Sequence, residues 1–254
     1  VDYELTLVTA GLLVLAGVIA GFINTLAGGG SFLTLPALML LGIPADVANA
    51  TNRVGVMLQS MEAVRGFRRH GMLPTQAIVP MLVPSVGGAL LGALLASLMP
   101  VAILKPIMLG TLIAMALLMV VRPSVVAVAE GTSPLSPWRS PLGFFGLFAA
   151  GVYGGFLQAG VGFVLIAALA GALRYDLVRA NALKMTATAI FTGVALTIFV
   201  VRGQVLWIPG LLLALGSVVG VRLSVGFALA VSQRMLSWFL FAMVVVSCLA
   251  VWFG

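Results

Sequence analysis

The chain has 254 residues, of which 62% are hydrophobic and 7% charged, and its mean hydropathy is +1.25. A soluble domain carries roughly 25% charged residues, so this composition excludes a soluble enzyme or binding module and predicts an all-α polytopic membrane protein. The 13 basic residues outnumber the 6 acidic ones, and in so apolar a chain the excess reads as loop charge that sets orientation, not as a nucleic-acid surface.

Val1 brings no Met and no basic stretch, and Leu5–Ala27 is too long for a signal-peptide core, so it is expected as the first membrane helix. Further runs of spanning length are expected at Val47–Phe67, Thr75–Met99, Ala102–Val121, Leu142–Leu157, Leu177–Val201, Val205–Leu229 and Gln233–Phe253. Phe32–Leu41 and Gly162–Ala172 are too short to cross alone, and glycines flank both, so they are expected as half-helices. The expected fold is about eight transmembrane helices plus two half-helices. The polar stretch around Arg122–Pro141 divides the chain into a first unit, 1–122, a connecting loop, 123–140, and a second unit, 141–254. Tyr3, Trp138, Trp207, Trp238 and Trp252 fall near predicted helix ends, as interface anchors do.

The two units resemble each other. A shift of 130 residues brings Gly21 onto Gly151, Gly30 onto Gly160 and Asp46 onto Asp176; a shift of 132 brings Gly88 onto Gly220. Broken helices in internal repeats are a common construction of secondary transporters. Re-entrant half-helices would make the repeats parallel, whereas half-helices that complete a crossing would make them inverted. The shortness of the two segments favours the first arrangement. The basic loop Arg65–His70 and the stretch Arg122–Arg139 are expected on the cytoplasmic side.

Polar residues inside this lipid-soluble chain mark the candidate site. Asn24, Thr25, Gly28, Gly29, Gly30 and Ser31 interrupt the first apolar run, and Gly154, Gly155, Gln158 and Gly160 interrupt its counterpart. Irregular backbone at membrane depth survives only when buried or lining a cavity, and N–H groups freed at a helix start favour an anion. In the next helix Asn49, Asn52, Arg53, Val56, Gln59 and Ser60 fall on one face, with Thr51 beside them; its counterpart carries Asn181, Lys184, Thr188 and Thr192. Each helix thus carries a cation and an amide at similar depth. Arg53 is close enough to the helix start for snorkelling to the surface to be an alternative. Asp46 and Asp176 precede helices and read as N-caps. Glu62 is spaced to pair with Arg65, and Arg222 either approaches the site or reaches the surface. One histidine, His70, and one cysteine, Cys248, exclude a multi-His/Cys metal centre and an intrachain disulfide, and no cofactor is expected.

NTLAGGGS, TLPALMLLGIP and ANATNR in the first unit, with GVYGGFLQAGVGF and DLVRANALK in the second, resemble the two signatures of the sulfite exporter TauE/SafE family of permeases. Gln158 departs from the all-glycine form of the second signature. The resemblance implies export of sulfite, of sulfonates such as sulfoacetate, or of related oxyanions and carboxylates, across a bacterial inner membrane. The expected partners are a small anionic substrate, the lipid bilayer and a coupling ion, proton or sodium; a homodimer stays open. A passive anion channel is the alternative within the same pore. An intramembrane enzyme, or an assembly partner of another complex, is the alternative from another class.

Overall fold

A computed structural model describes residues 5–26, 29–121 and 133–227. Gly28, Glu130, the last expected helix with Arg234, Trp238, Cys248 and Trp252, and the N-terminal Asp2, Tyr3 and Glu4 lie outside the described residues. The described residues form nine α-helices: α1 (Leu7–Leu26), α2 (Ser31–Leu40), α3 (Ala45–Arg69), α4 (Ile78–Leu98), α5 (Val101–Val121), α6 (Pro141–Phe156), α7 (Val161–Ile166, continued by a π-helical stretch Ala167–Ala172), α8 (Leu177–Val201) and α9 (Trp207–Phe227). There is no strand among them. Among the described residues five helical segments are long and apolar enough to cross a membrane: α1, α4 with its preceding turn, α5, α8 and α9. The protein is an all-α polytopic membrane protein. Leu7, Val79, Leu98, Leu142, Phe145 and Val201 stand largely exposed on its outside, where lipid can cover them.

The expected half-helices are present as α2 and α7. The run expected as a span at Leu142–Leu157 forms α6, whose 16 residues reach about 24 Å at 1.5 Å per residue, less than the roughly 30 Å hydrocarbon core. Apolar side chains sheathe the short helices. Phe32, Leu35 and Leu38 of α2 belong to one core with Leu104, Met108 and Leu112 of α5, while Leu165 and Leu169 belong to another with Leu147 of α6 and Phe191 of α8.

Two glycine-lined interfaces fix the helix directions. A Cβ on Gly17 would lie 2.4 Å from the Leu213 carbonyl oxygen, and one on Gly21 would lie 2.1 Å from that of Ser217. From the other side, Gly216 faces Val14 and Gly220 faces Val18, each at 2.0 Å from the carbonyl oxygen. The pairs advance together, so α1 and α9 run in the same direction. Helices α4 and α6 are likewise parallel: Gly151 meets the Ser85 oxygen at 2.2 Å, and Gly88 meets that of Phe148 at 2.2 Å. Small residues let membrane helices approach this closely. The two interfaces exchange under the sequence shifts. Gly21 and Ser217 move onto Gly151 and Ser85 (21 + 130 = 151; 217 − 132 = 85), and Val18 and Gly220 move onto Phe148 and Gly88 (18 + 130 = 148; 220 − 132 = 88).

Helix α3 is parallel to α9, since Thr51 sits at Leu206, Val54 at Gly210 and Gly55 at Leu213. The ends of α4 and α8 also meet, where Arg202 Nη2 donates to the Ser97 oxygen at 3.3 Å. Thus α1, α3 and α9 run one way and α4, α6 and α8 the other. This corrects the path favoured on segment length. A re-entrant α2 would leave α1 and α3 antiparallel, but they are parallel, so the chain returns along α2 before α3 begins. The route is the alternative one, in which the half-helix completes a crossing.

The glycine interfaces set a stability test. Gly21→Ala and Gly92→Ala, each placing a Cβ against a backbone oxygen, should each destabilise the protein by about 1–3 kcal/mol. Gly11→Ala, whose Cβ meets nothing within 4 Å, should leave the midpoint unlowered or slightly raised, since Ala is the better helix former. Thermal unfolding in detergent reads all three.

Candidate functional site

The polar face of α3 is spent largely on the end of α6. That helix stops where the Tyr153 carbonyl accepts from both Leu157 and Gln158 N–H, at 2.9 and 3.2 Å. The next three carbonyls have lost their helical partners, and side chains of α3 take all of them. Arg53 Nη1 donates to the Gly154 oxygen at 2.8 Å, Arg53 Nη2 to that of Gly155 at 2.6 Å, and Asn49 Nδ2 to that of Phe156 at 2.7 Å. A helix C-terminus presents orphan acceptors and partial negative charge, so a guanidinium there answers both. Arg53 is 0% exposed, with its guanidinium carbon 5.0 Å from the Phe199 ring centre. It does not snorkel.

Gln158 sits in the break itself, in left-handed backbone at φ 71°. Its Oε1 is 3.5 Å from Arg53 Nη1, and its Nε2 donates to Thr192 Oγ1. The Tyr153 hydroxyl donates to the Ala159 oxygen and holds the same turn.

The other half repeats this plan with a weaker contact. Lys184 Nζ lies 3.5 Å from the Asn24 carbonyl oxygen, near the end of α1. Asn24 falls on Gly154 under the shift of 130 (24 + 130 = 154). Each cation therefore reaches across to the first helix of the opposite half. Lys184 is 2% exposed. The ion pairs among the described residues join Glu62 to Arg65 and Arg222, and Asp176 to Arg179, so neither buried cation has a carboxylate partner there.

The breaks meet. A Cβ on Gly160 would lie 2.6 Å from the Phe32 ring, one residue into α2. Beside this contact Asn24, Ser31, Gln158, Lys184 and Thr188 line a cavity, with Gly162 at the start of α7. It is narrow, with room for about one water molecule. Ser31 also borders a second small cavity, lined by Gln59, Asn52 and Thr34 with no charged side chain. An ammonium, hydroxyls and amides converging where two helices begin can replace the hydration of a small anion.

The family model described as Sulfite exporter TauE/SafE matches residues 13–251. The chain belongs to this family. It is 33% identical over 236 residues to "Probable membrane transporter protein ORF9" of a Sinorhizobium species, covering 88% of this chain and 85% of that protein. A "Probable membrane transporter protein" of Haemophilus influenzae is 29% identical, covering 84% and 82%. The protein "Probable membrane transporter protein YfcA" of Escherichia coli K12 is 26% identical, covering 89% and 83%. This TauE/SafE chain is an integral membrane protein and a membrane transporter, not an enzyme.

The candidate site residues of this TauE/SafE chain separate into groups in the structure. Asn24, Ser31, Gln158, Lys184 and Thr188 share the first cavity. Gly30, Ser31, Asn52 and Gln59 share the second. Asn52 holds the start of α2, since its Nδ2 donates to Ser31 Oγ at 3.1 Å and its Oδ1 accepts from Thr34 Oγ1 at 2.5 Å. Thr51 faces away, accepting the Leu206 N–H at 3.0 Å to start α9. Thr25 Oγ1 donates back to the Gly21 oxygen, and the residue lines an open vestibule with Glu62, Arg65 and Arg222. Asn181 is half-buried on α8, outside both cavities. Gly160 turns the second break in left-handed backbone at φ 74°.

Fewer backbone donors are free at the start of α2 than expected. Phe32 N–H donates to the Gly29 oxygen and Leu33 N–H to that of Gly30. Asp176 caps α8 as expected, accepting from Arg179 N–H at 2.9 Å. Asp46 does not cap α3; it lies inside the first turn, and its Oδ2 accepts from Gln204 Nε2 at 3.3 Å. Glu62 pairs with Arg65, and Arg222 joins the same carboxylate at 2.8 Å. Thr34, Tyr153 and Ser217 were not anticipated. Thr34 lies one turn beyond Ser31, a spacing that could have found it, whereas the roles of Tyr153 and Ser217 depend on tertiary neighbours.

Arg53 and Lys184 should respond differently to loss of charge. Arg53→Met strands two buried carbonyls and should cost about 3 kcal/mol of stability. Lys184→Met removes a weakly held, costly buried charge and should raise stability by about 1–4 kcal/mol. Differential thermal unfolding in detergent, without added anion, compares them.

Proposed function

We propose that the protein is a secondary transporter that exports a small sulfur-containing anion, sulfite or an organosulfonate of the sulfoacetate kind, from the bacterial cytoplasm. The observation that carries this reading is Lys184: a buried ammonium in a polar cavity, with one long hydrogen bond and no carboxylate partner among the described residues. A buried unpaired charge is expensive, and a bound anion removes that cost. Ser31, Gln158 and Thr188 replace water around the anion, and the beginnings of α2 and α7 add favourable dipoles. Arg53 is kept as the clamp that holds the second break in shape.

The units 1–122 and 141–254 act as inverted repeats that rock about the site and expose it alternately. Their opposite helix directions and the exchange of the glycine interfaces support this. So does charge: Arg65, Arg68, Arg69, His70, Arg139, Arg174 and Arg222 cluster toward one end of the bundle, against Lys105 and Arg202 at the other. The basic end is the cytoplasmic one by the positive-inside rule, and the vestibule at Thr25 opens there. Coupling to a proton or sodium gradient completes the cycle. The narrowness of the cavity, with room for about one water molecule, favours a carrier over a passive channel.

Sulfite flux into proteoliposomes checks the site. Wild-type flux should saturate with concentration and follow an imposed proton or sodium gradient, and Lys184→Met should reduce it at least tenfold. Undiminished transport by folded Lys184→Met would remove the site. Flux that stays linear in concentration and indifferent to both gradients would turn the carrier into a channel.

A further inference from the structure

We infer that the site has a second, uncharged half beside Gln59, which takes a neutral hydrogen-bond donor, a hydroxyl, at the far end of a short organosulfonate. The inference rests on the anion site proposed above and narrows its substrate class. Gln59 lies midway along α3, is 2% exposed, and borders the second cavity. Its Oε1 is buried and accepts no hydrogen bond among the described residues. Among the described residues the neighbouring Asn52 amide bonds Ser31 and Thr34 and makes no bond to Gln59. An orphaned acceptor of this kind is costly and calls for a donor.

The second cavity adjoins the one that holds Lys184, with Ser31 and Val56 lining both. An anionic head beside Lys184 therefore places its short tail against Gln59. Three tails can be compared on chemistry. A methyl leaves Oε1 unpaired. A carboxylate brings a second negative charge into a half whose lining has no cation among the described residues, and it meets an acceptor with an acceptor. A hydroxyl donates to Oε1 and carries no charge to be neutralised.

Binding to the purified full chain tests this by titration calorimetry with sulfite, ethanesulfonate, 2-hydroxyethanesulfonate and sulfoacetate. The hydroxyl compound should bind at least about fivefold more tightly than ethanesulfonate, the worth of one buried hydrogen bond, and more tightly than sulfoacetate. Gln59→Met should bring the hydroxyethyl-to-ethyl ratio to about one. Equal binding of the two by wild type, or an unchanged ratio in a folded Gln59→Met, overturns the inference while sulfite binding leaves the anion site standing. Tightest binding of sulfoacetate also overturns it. Failure to bind any of the four overturns the anion site and this inference together. The wild-type comparison needs no variant, so it decides even if Gln59→Met does not fold.

Discussion

The structure depends on how two interrupted helices are finished inside lipid. Water cannot reach the last carbonyls of such a helix in the hydrocarbon, and leaving them unpaired costs several kcal/mol each. The protein finishes both from the opposite half. Arg53 and Asn49 close the end of α6, and Lys184 reaches the end of α1. The interruption, the polar face on the following helix and the pairing of the two halves are therefore one requirement. The break at the end of α6 would be too costly to keep without Arg53, and Arg53 without that break would have nothing to neutralise it.

The glycine interfaces serve the same end by a different means. Where α1 meets α9 and α4 meets α6, backbone approaches backbone with no Cβ between. Hydrophobic burial gives little drive for association in lipid, so close packing must supply it. These interfaces bring the two halves together without large interlocking side chains. They leave the polar contacts to the centre, where α3 and α8 meet α2, α7 and the broken ends.

Much of this was legible in the residues. Run length separated the half-helices from the long helices, and the matched glycines and matched polar faces marked where the halves come together. What could not be read was direction and partnership. The sense of α2 depends on whether α1 and α3 are parallel, which only the register of Gly21 against Ser217, and of Thr51 against Leu206, reveals. Thr51 looks like a site residue because it stands between Ala50 and Asn52, yet helical geometry turns it onto α9. Asp46 looks like a cap because it follows Pro44-Ala45, but the helix begins one residue earlier, and the carboxylate turns instead toward Gln204.

The least legible point is the most consequential: two cations at similar depth on corresponding helices have unequal freedom. Arg53 commits both Nη groups to carbonyls and also faces the Phe199 ring. A planar guanidinium can serve several fixed acceptors at once, which suits it to a clamp. Lys184 is a compact ammonium with three donors and a single carbonyl at 3.5 Å. Its remaining donors have no described protein acceptor, and Ser31, Gln158 and Thr188 share its cavity. Their places on corresponding helices make the two cations look like equivalents, but the chemistry of the side chains divides the work: the arginine holds the frame, and the lysine is left able to bind something that comes and goes.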